Sequence, residues 1–385
     1  MRTRLNASLG LGFSAALWGA TTLAGPARAE VPVVTADIPA VQSLVMQVMG
    51  DLGTPGLAMT PGASPHGYQM RPSEAKQLAG SDVVFWVGPE LEPWLGEAIG
   101  TLAPDARSVE LLKAPGVETL MFRTEALFEP AEGHGHEEGH DHDHGAHDQD
   151  DHEGHDHEGH DHEGHDHDGQ GHEDHADHDH DHDHAAAHDD QDHDEAHEGH
   201  EDDHDHEGAH HHDHSGTDPH AWLDPQNASA WLASIAQTLA TADPENAATY
   251  ESNATAAQQK LAALTETLDA ELSDLPGAYV VFHDGYHYLE NRFGLPSRGA
   301  ISMSDATSPS PARLAELREA IAAEGVTCIF AEPQFSASSM ERIAEDLDLR
   351  TGTLDPLGQS IPTGPDFYAD LMEGLSASLR GCLAD

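Results

Sequence analysis

Basic residues are the scarcest class in this chain. Its 385 residues include 16 Lys and Arg against 71 Asp and Glu, which gives a formal net charge of -55 at pH 7. Such a surplus of negative charge repels other anions, so it argues against nucleic acid and anionic membrane surfaces as partners. The composition suits the binding of cations.

Cysteine is almost absent, since the chain has only Cys328 and Cys382. In an exported protein such a pair is usually joined, and closing the loop between them could stabilise the fold by about 4 kcal/mol. The alternative is a zinc-ligand pair, although two Cys without nearby partners make a poor site. The sequence therefore predicts a disulfide, provided that the chain is exported.

Long apolar runs are also missing. The stretch from Leu9 to Leu23 is too short, and too interrupted by Gly and Ser, to span a bilayer. Two arginines precede it and Ala27-Arg28-Ala29 follows it, an order typical of a cleavable secretory signal. We expect a mature periplasmic protein that begins at Glu30, is not stably inserted in a membrane and is a monomer.

Histidine and acidic residues are concentrated in one tract. Residues 131 to 214 hold 33 Asp or Glu, no Lys or Arg, and 29 of the 33 His. Because the tract has almost no apolar side chains to bury, we expect a disordered insertion over residues 131–216. Imidazoles beside carboxylates predict several loosely bound zinc ions, and such a tract could also take copper or nickel. A merely solubilising acidic tail is the alternative.

The histidines that carry the prediction of loose metal binding are His134, His136, His140, His142, His144, His155, His157, His160, His162, His165, His167, His178, His180, His182, His184, His210, His211, His212 and His214.

Outside the tract, apolar runs alternate with amphipathic segments, as in repeated βα units. The pattern predicts strands at 31–36, 57–60, 82–87, 278–282, 326–331 and 349–354, and helices at 41–49, 73–79, 91–102, 312–324 and 338–347. Asp224-Pro225 is typical of a helix start, with Asp as the N-cap and Pro at the first helical position. Residues 244–275 predict one long helix.

The predicted fold class is therefore α/β, with two (β/α) lobes of parallel sheet joined by one long rigid helix. We expect a signal peptide at 1–29, an N-terminal lobe at 30–244, a connecting helix at 245–277 and a C-terminal lobe at 278–385.

Only four histidines lie outside the tract, and three of them fall in corresponding loops. His66 follows the second predicted strand, His220 precedes a helix, and His283 directly follows the strand at 278–282. Parallel α/β sheets bind ligands beyond the carboxyl ends of their strands, so two facing lobes would bring these residues into one cleft. Three imidazoles with one carboxylate or water form a normal zinc set, and Asp355 is the expected carboxylate. Alone, each His would more often be a structural hydrogen-bonding group.

Other interpretations of these residues stay open. His287 could share a helix face with His283 and form a two-His site, although a partly exposed His on the first helical turn is the interpretation that we favour. Three His with an open position also describe catalytic zinc, so a zinc hydrolase is an alternative function. Glu332 is the apparent candidate for its general base; the other interpretation is a structural group beneath the cleft. A passive metal buffer is the third possible function.

The chain resembles the zinc-binding branch of the cluster A-I solute-binding proteins of ABC transporters. The most specific stretches are GASPHGYQMRPSEAKQLAGSDVVFWVGPELEPWL, HAWLDP, VFHDGYHYLENRFGL, TCIFAEPQF and GTLDPLGQSIP. The resemblance implies high-affinity zinc capture, delivery of zinc to the membrane permease of the transporter, and no enzymatic activity. It also implies the disulfide between Cys328 and Cys382.

The zinc ligands that the resemblance implies are His66, His220 and His283. Manganese-binding members replace His by carboxylates, so three His favour zinc. Some zinc-binding members have Glu directly before the first His, where this chain has Pro65. The fourth ligand is therefore open between Asp355 and a water molecule.

Overall fold

The computed structural model describes residues 31–123, 216–302, 311–335 and 338–384. The predicted signal segment lies outside these ranges, as does the His-rich tract apart from Gly216.

The first lobe is built on a four-stranded parallel sheet in the order β2-β1-β3-β4. The two central strands are apolar and fully buried, with Val34 paired to Val83 and Ala36 to Phe85. This sheet and its covering helices comprise β1 (Val34–Ala36), α1 (Pro39–Met49), β2 (Gly56–Leu57), α2 (Pro72–Leu78), β3 (Val83–Trp86), α3 (Pro93–Leu102) and β4 (Arg107–Glu110).

The second lobe repeats this architecture, with a parallel sheet in the order β6-β5-β7-β8. Its central strands are again apolar, because helices pack on both faces. The elements are β5 (Ala278–His283), α6 (His287–Phe293), β6 (Ala300–Ser302), α7 (Pro311–Glu324), β7 (Val326–Ala331), α8 (Ser338–Leu347), β8 (Arg350–Thr353) and α9 (Phe367–Leu383). The predicted α/β class with two parallel sheets is confirmed.

Two edge strands were absent from the sequence prediction. β4 has exposed polar residues at Arg107 and Ser108, so it lacks the apolar run of a buried strand. β6 has only three residues. Edge strands need pairing on one side only and tolerate such short or polar sequences.

Two helices lie between the sheets along the chain, α4 (Pro225–Ala242) and α5 (Ala247–Leu272). The predicted cap is present, because the Asp224 side chain accepts a hydrogen bond from the Gln226 N–H at 2.8 Å. The predicted long helix is α5, with 26 residues and a length of about 39 Å. It is shorter than predicted because residues 244–246 form a separate 3-10 turn.

The long helix is part of a hydrophobic core that both lobes share. One continuous cluster of buried side chains includes Val41 of α1, Trp231 of α4, Leu261 of α5, Phe330 of β7 and Leu375 of α9. Two smaller clusters cover the outer faces of the sheets. The helix is thus packed on both lobes along its length and is more than a connecting rod.

The C-terminal helix α9 ties the lobes together further. Its Tyr368 hydroxyl donates to the Trp222 carbonyl at 2.7 Å. At its other end, a disulfide joins Cys382 to Cys328 of β7, so the predicted bridge is present. Within the described residues, every helix is too short or too polar to span a lipid bilayer.

Two buried carboxyl groups face each other at the carboxyl end of the first sheet. Asp37 and Glu92 are both fully buried. Asp37 accepts backbone hydrogen bonds from Ile38 at 2.6 Å and Val87 at 2.5 Å, which favour its charged form. Burial nevertheless raises the pKa of Asp37 to about 6. Burial, together with the Asp37 charge, raises the pKa of Glu92 well above its usual range. We infer that Glu92 stays protonated at neutral pH.

Replacing Glu92 by Gln should flatten the pH dependence of stability. Both pKa values are raised in the folded chain, so the folded state binds more protons than the unfolded state. The free energy of unfolding contributed by this pair should therefore fall as the pH rises from about 4 through 6 and beyond. Gln keeps the shape of the neutral acid, so Glu92→Gln should gain stability relative to wild type with rising pH. Urea unfolding of metal-free protein between about pH 5 and 8 measures this.

Glu97→Gln is the matched control, because Glu97 is exposed on α3, the helix that follows Glu92, and its stability curve should run parallel to that of wild type. A Glu92→Gln curve that is also parallel to wild type would show that Glu92 does not hold a proton.

Candidate metal centre

The three histidines singled out in the sequence line one pocket. His66 lies in the loop after β2, His220 lies before α4, and His283 is the last residue of β5. His220 and His283 are 3% and 4% exposed, whereas His66 is partly exposed. The carboxyl ends of the two sheets therefore bring the three imidazoles together, as the loop positions predict.

A buried carboxylate orients the ring of His220. In the sequence Asp218-Pro219-His220, one oxygen of Asp218 lies 2.7 Å from Nδ1 of His220 and accepts the backbone N–H of the same residue at 2.9 Å. Burial alone would raise the pKa of Asp218, but the contacts with His220 outweigh burial and hold the pKa below its usual value. Asp218 is therefore ionised and accepts the Nδ1 proton.

A second carboxylate orients His283 in the same way. Because β5 pairs with β7, the residue that follows β7 lies beside the end of β5. That residue is Glu332, which is buried and has one oxygen 2.6 Å from Nδ1 of His283. The sequence had left Glu332 between a catalytic base and a structural group, and the geometry agrees with the structural group.

These two contacts leave the other ring nitrogens facing each other. An ionised carboxylate only accepts, so each Nδ1 donates and each Nε2 of a neutral ring carries a lone pair. The Nε2 atoms of His220 and His283 are 3.3 Å apart. Zinc–nitrogen bonds of about 2.0–2.1 Å in a tetrahedron place two ligand atoms about 3.3 Å apart.

The third ring lies beside this pair. The ring centres of His66 and His220 are 5.5 Å apart, and those of His220 and His283 are 5.2 Å apart. Among the described residues, no three or more His, Cys, Asp or Glu side chains lie close enough together to hold a metal ion without some movement. The structure thus provides one close pair and a neighbouring third imidazole.

Gly285 keeps the space around the His283 ring open. A Cβ atom at this position would lie 2.3 Å from Nε2 of His283. The chain turns back here, with the Gly285 N–H bonded to the His283 carbonyl at 2.9 Å. A residue without a side chain is therefore required next to the nitrogen that faces the pocket.

Asp355 lies after β8, where the sequence places it, but it is not among the residues that line this pocket. One carboxylate oxygen accepts the Gln334 side-chain N–H at 2.8 Å and the Leu357 N–H at 3.2 Å, and the other accepts the Gln359 N–H at 2.6 Å. These three bonds hold the Asp355 carboxylate against Gln334 and its own loop.

His287 also lies outside the residues that line the pocket. It is the first residue of α6, its side chain is 24% exposed, and its Nδ1 is 3.8 Å from the second oxygen of Asp218. It thus lies behind the carboxylate that orients His220, and it does not point with His283 into a shared two-His site.

A polar clamp, which the sequence did not predict, joins helix α6 to the two chain segments that end at residue 123 and resume at residue 216. Met121 and Thr217 form an antiparallel bridge. The Tyr288 hydroxyl accepts the Leu120 N–H at 2.9 Å and donates to the Asp218 carbonyl at 2.7 Å. The clamp holds the chain that carries Asp218 against the second lobe.

Arg123 completes the clamp through buried ion pairs with Asp284 and Glu290. Asp284 follows His283 directly, so the ion pair holds the strand end that carries this ligand candidate. The sequence offers one signal for this arrangement, namely a rare basic residue at the border of an acidic tract. Asp218 has a clearer signal, because it stands two residues before His220, whereas Glu332 directly follows β7 and its contact with His283 depends on strand order.

The chain is similar to known proteins over most of its length. The family model for ZnuA, zinc-uptake complex component A, periplasmic, matches residues 34–382. The high-affinity zinc uptake system protein ZnuA of Paracoccus denitrificans is 42% identical over 364 residues, 94% of this chain and 95% of that protein. Its counterpart in Brucella suis biovar 1 is 38% identical over 352 residues, 91% of each chain. A crystal structure of ZnuA matches with a TM-score of 0.61 at 20% identity, covering 92% of this chain and 99% of that one, which supports the fold.

Gly285→Ala should weaken metal binding and leave the protein folded. The added Cβ displaces the His283 ring from its position against Glu332, and loss of such an orienting contact typically costs about 10- to 100-fold in metal affinity. Competition with a chelator measures zinc affinity, and circular dichroism checks the fold. Gly374→Ala in α9 is the control, because an added Cβ there meets no atom within 4 Å. Wild-type affinity in Gly285→Ala would contradict the assignment of His283 Nε2 as a metal-binding atom.

Proposed function

The chain belongs to the ZnuA family of periplasmic zinc-uptake components, and on that premise we propose that it captures zinc with high affinity and delivers it to the membrane permease of an ABC-type importer. The observation that carries this proposal is the buried pair of His220 and His283. Their Nε2 atoms are 3.3 Å apart, and a carboxylate holds the Nδ1 atom of each ring. Zinc is the cargo of this site.

His66, His220 and His283 are the proposed protein ligands. The pair forms a half-site, and a rotation of the His66 side chain adds the third nitrogen. Two carboxylates lie directly behind this set, at Asp218 and Glu332. Their charges offset the two positive charges of zinc, which lowers the cost of holding the ion in a buried site. They also increase the basicity of the rings that they orient.

Three imidazoles favour zinc over manganese, which prefers oxygen ligands. The fourth position takes Asp355 or a water molecule, because Pro65 has no donor side chain to offer. Asp355 is close in the chain to Pro356 and Leu357, which line the pocket. If its carboxylate turns inward, it gives up the Gln334 bond or one of its loop bonds.

The remaining parts of the proposal concern residues that the structure does not describe. We propose that residues 1–29 are a cleavable signal peptide and that the mature protein is a monomer with the lobe boundaries given above. The tract at 131–216 holds several zinc ions loosely, in addition to the one tight site.

The zinc hydrolase is the weaker proposal. Its general base would be Glu332, but one oxygen of this carboxylate is engaged by His283 at 2.6 Å, on the side of the ring away from the pocket-facing nitrogen. We therefore propose that the chain is not an enzyme. Turnover of ester or phosphoester substrates by the zinc-loaded protein would overturn this part of the proposal.

Deleting residues 131–214 should leave a folded protein that binds one zinc ion tightly. The deletion retains Gly216, whose carbonyl accepts the Phe122 N–H at 3.0 Å. Calorimetric titration should show one tightly bound zinc ion per chain in the deletion variant. The full chain should show the same tight binding and additional, weaker binding of zinc. Adding His220→Ala to the deletion should remove the tight equivalent. Loss of tight zinc binding in the deletion variant would favour a passive metal buffer, in which the tract itself binds the zinc.

Asp355→Ala should weaken zinc binding less than His66→Ala does. A water molecule can fill the fourth position when the carboxylate is removed, whereas the loss of an imidazole cannot be replaced as well. If Asp355 acts only through its bonds to Gln334 and to its own loop, its removal should weaken zinc binding by at most about 10- to 100-fold. Chelator competition on both variants makes the comparison, and Asp366→Ala is a control at a carboxylate outside the pocket. Wild-type affinity in Asp355→Ala would exclude both roles.

A further inference from the structure

The loop that carries His66 is held by few regular contacts. It follows the two-residue strand β2 and runs through turns and bends to α2, with glycines at positions 62 and 67. His66 is partly exposed, unlike the buried His220 and His283. Contacts between its loop and the neighbouring helices therefore bear on the position of its backbone.

Trp94, the second residue of α3, supplies that contact. Its indole N–H donates to the Pro65 carbonyl at 2.7 Å. This carbonyl belongs to the peptide group that joins Pro65 to His66. Because a peptide group is planar, a hydrogen bond at its oxygen fixes the orientation of the whole plane, including the N–Cα bond of His66. The proline ring restricts the same segment through its fixed φ.

The other end of the segment is anchored beside the same tryptophan. The rings of Tyr68 and Trp94 have centres 5.5 Å apart. The Tyr68 hydroxyl accepts the Thr60 N–H at 3.0 Å and donates to the Glu74 carboxylate at 2.8 Å. His66 is thus held on both sides by contacts that converge on α3 and on the start of α2.

We propose that Trp94 is a positioning residue for His66: its indole holds the peptide between Pro65 and His66, so that zinc capture changes only the side-chain torsions of His66. This inference rests on the proposed role of His66 as a zinc ligand. Preorganising the backbone reduces the conformational entropy lost when zinc binds. The His66 imidazole can then reach the His220–His283 pair by rotation of its side chain alone.

Trp94→Phe tests the inference, because Phe keeps one aromatic ring against Tyr68 and lacks the N–H donor. The expected loss of zinc affinity is about 2- to 12-fold, which corresponds to the net contribution of one hydrogen bond. Zinc affinity of the full chain is measured by competition with a tight chelator, so that weak sites do not contribute. Trp86→Phe is the matched control: it removes an indole bond to Ser108 at 2.9 Å in the same lobe and should leave zinc affinity unchanged.

A double-mutant cycle with His66→Ala separates positioning from general stability. If Trp94 acts through His66, adding Trp94→Phe to His66→Ala should change zinc affinity less than about 1.5-fold, whereas the unfolding free energies should remain additive. Wild-type affinity in Trp94→Phe, or an undiminished loss in the His66→Ala background, overturns the inference. Wild-type affinity in His66→Ala itself overturns the proposed ligand set instead. Trp94→Met is the second variant if Trp94→Phe does not fold.

Discussion

The close approach of two imidazole rings in a buried position is the constraint on which the rest of this structure depends. His220 and His283 come from different lobes, and their Nε2 atoms lie 3.3 Å apart. Such a contact persists only if the surrounding protein holds both rings firmly. Asp218 and Glu332 set the orientation of the rings, but they do so only because each carboxylate is itself immobilised by the fold.

The shared core provides that firmness. Helices α4, α5 and α9 pack into one cluster with residues of both sheets, so a relative movement of the lobes would open a large apolar surface to water. The clamp from Arg123 and Tyr288 adds buried polar contacts next to the two ligand candidates. Rigid lobes leave the partly exposed His66 side chain as the adjustable part of the site, which suits a protein that must both capture and release its cargo.

The sequence predicted the architecture well where strands are buried on both faces and where helices begin with clear caps, as at Asp224. It also brought out His66, His220 and His283, because histidine is rare outside the tract. It could not reveal contacts that depend on strand order. Glu332 reaches His283 only because β7 lies next to β5, and Asp355 is engaged by its own loop because the following backbone N–H groups turn back toward it. Arg123 and Trp94 act across large sequence separations that no local pattern encodes.

The antiparallel bridge between Met121 and Thr217 has a consequence for how this protein can evolve. The chain leaves the first lobe and returns to it at adjacent points, with Phe122 bonded to Gly216 and Asp218 bonded to Leu120. For a flexible connection, doubling the length between two such fixed points costs only about 0.6 kcal/mol. Changes in the length of the histidine repeats should therefore cost little stability and leave the geometry at His220 unaltered.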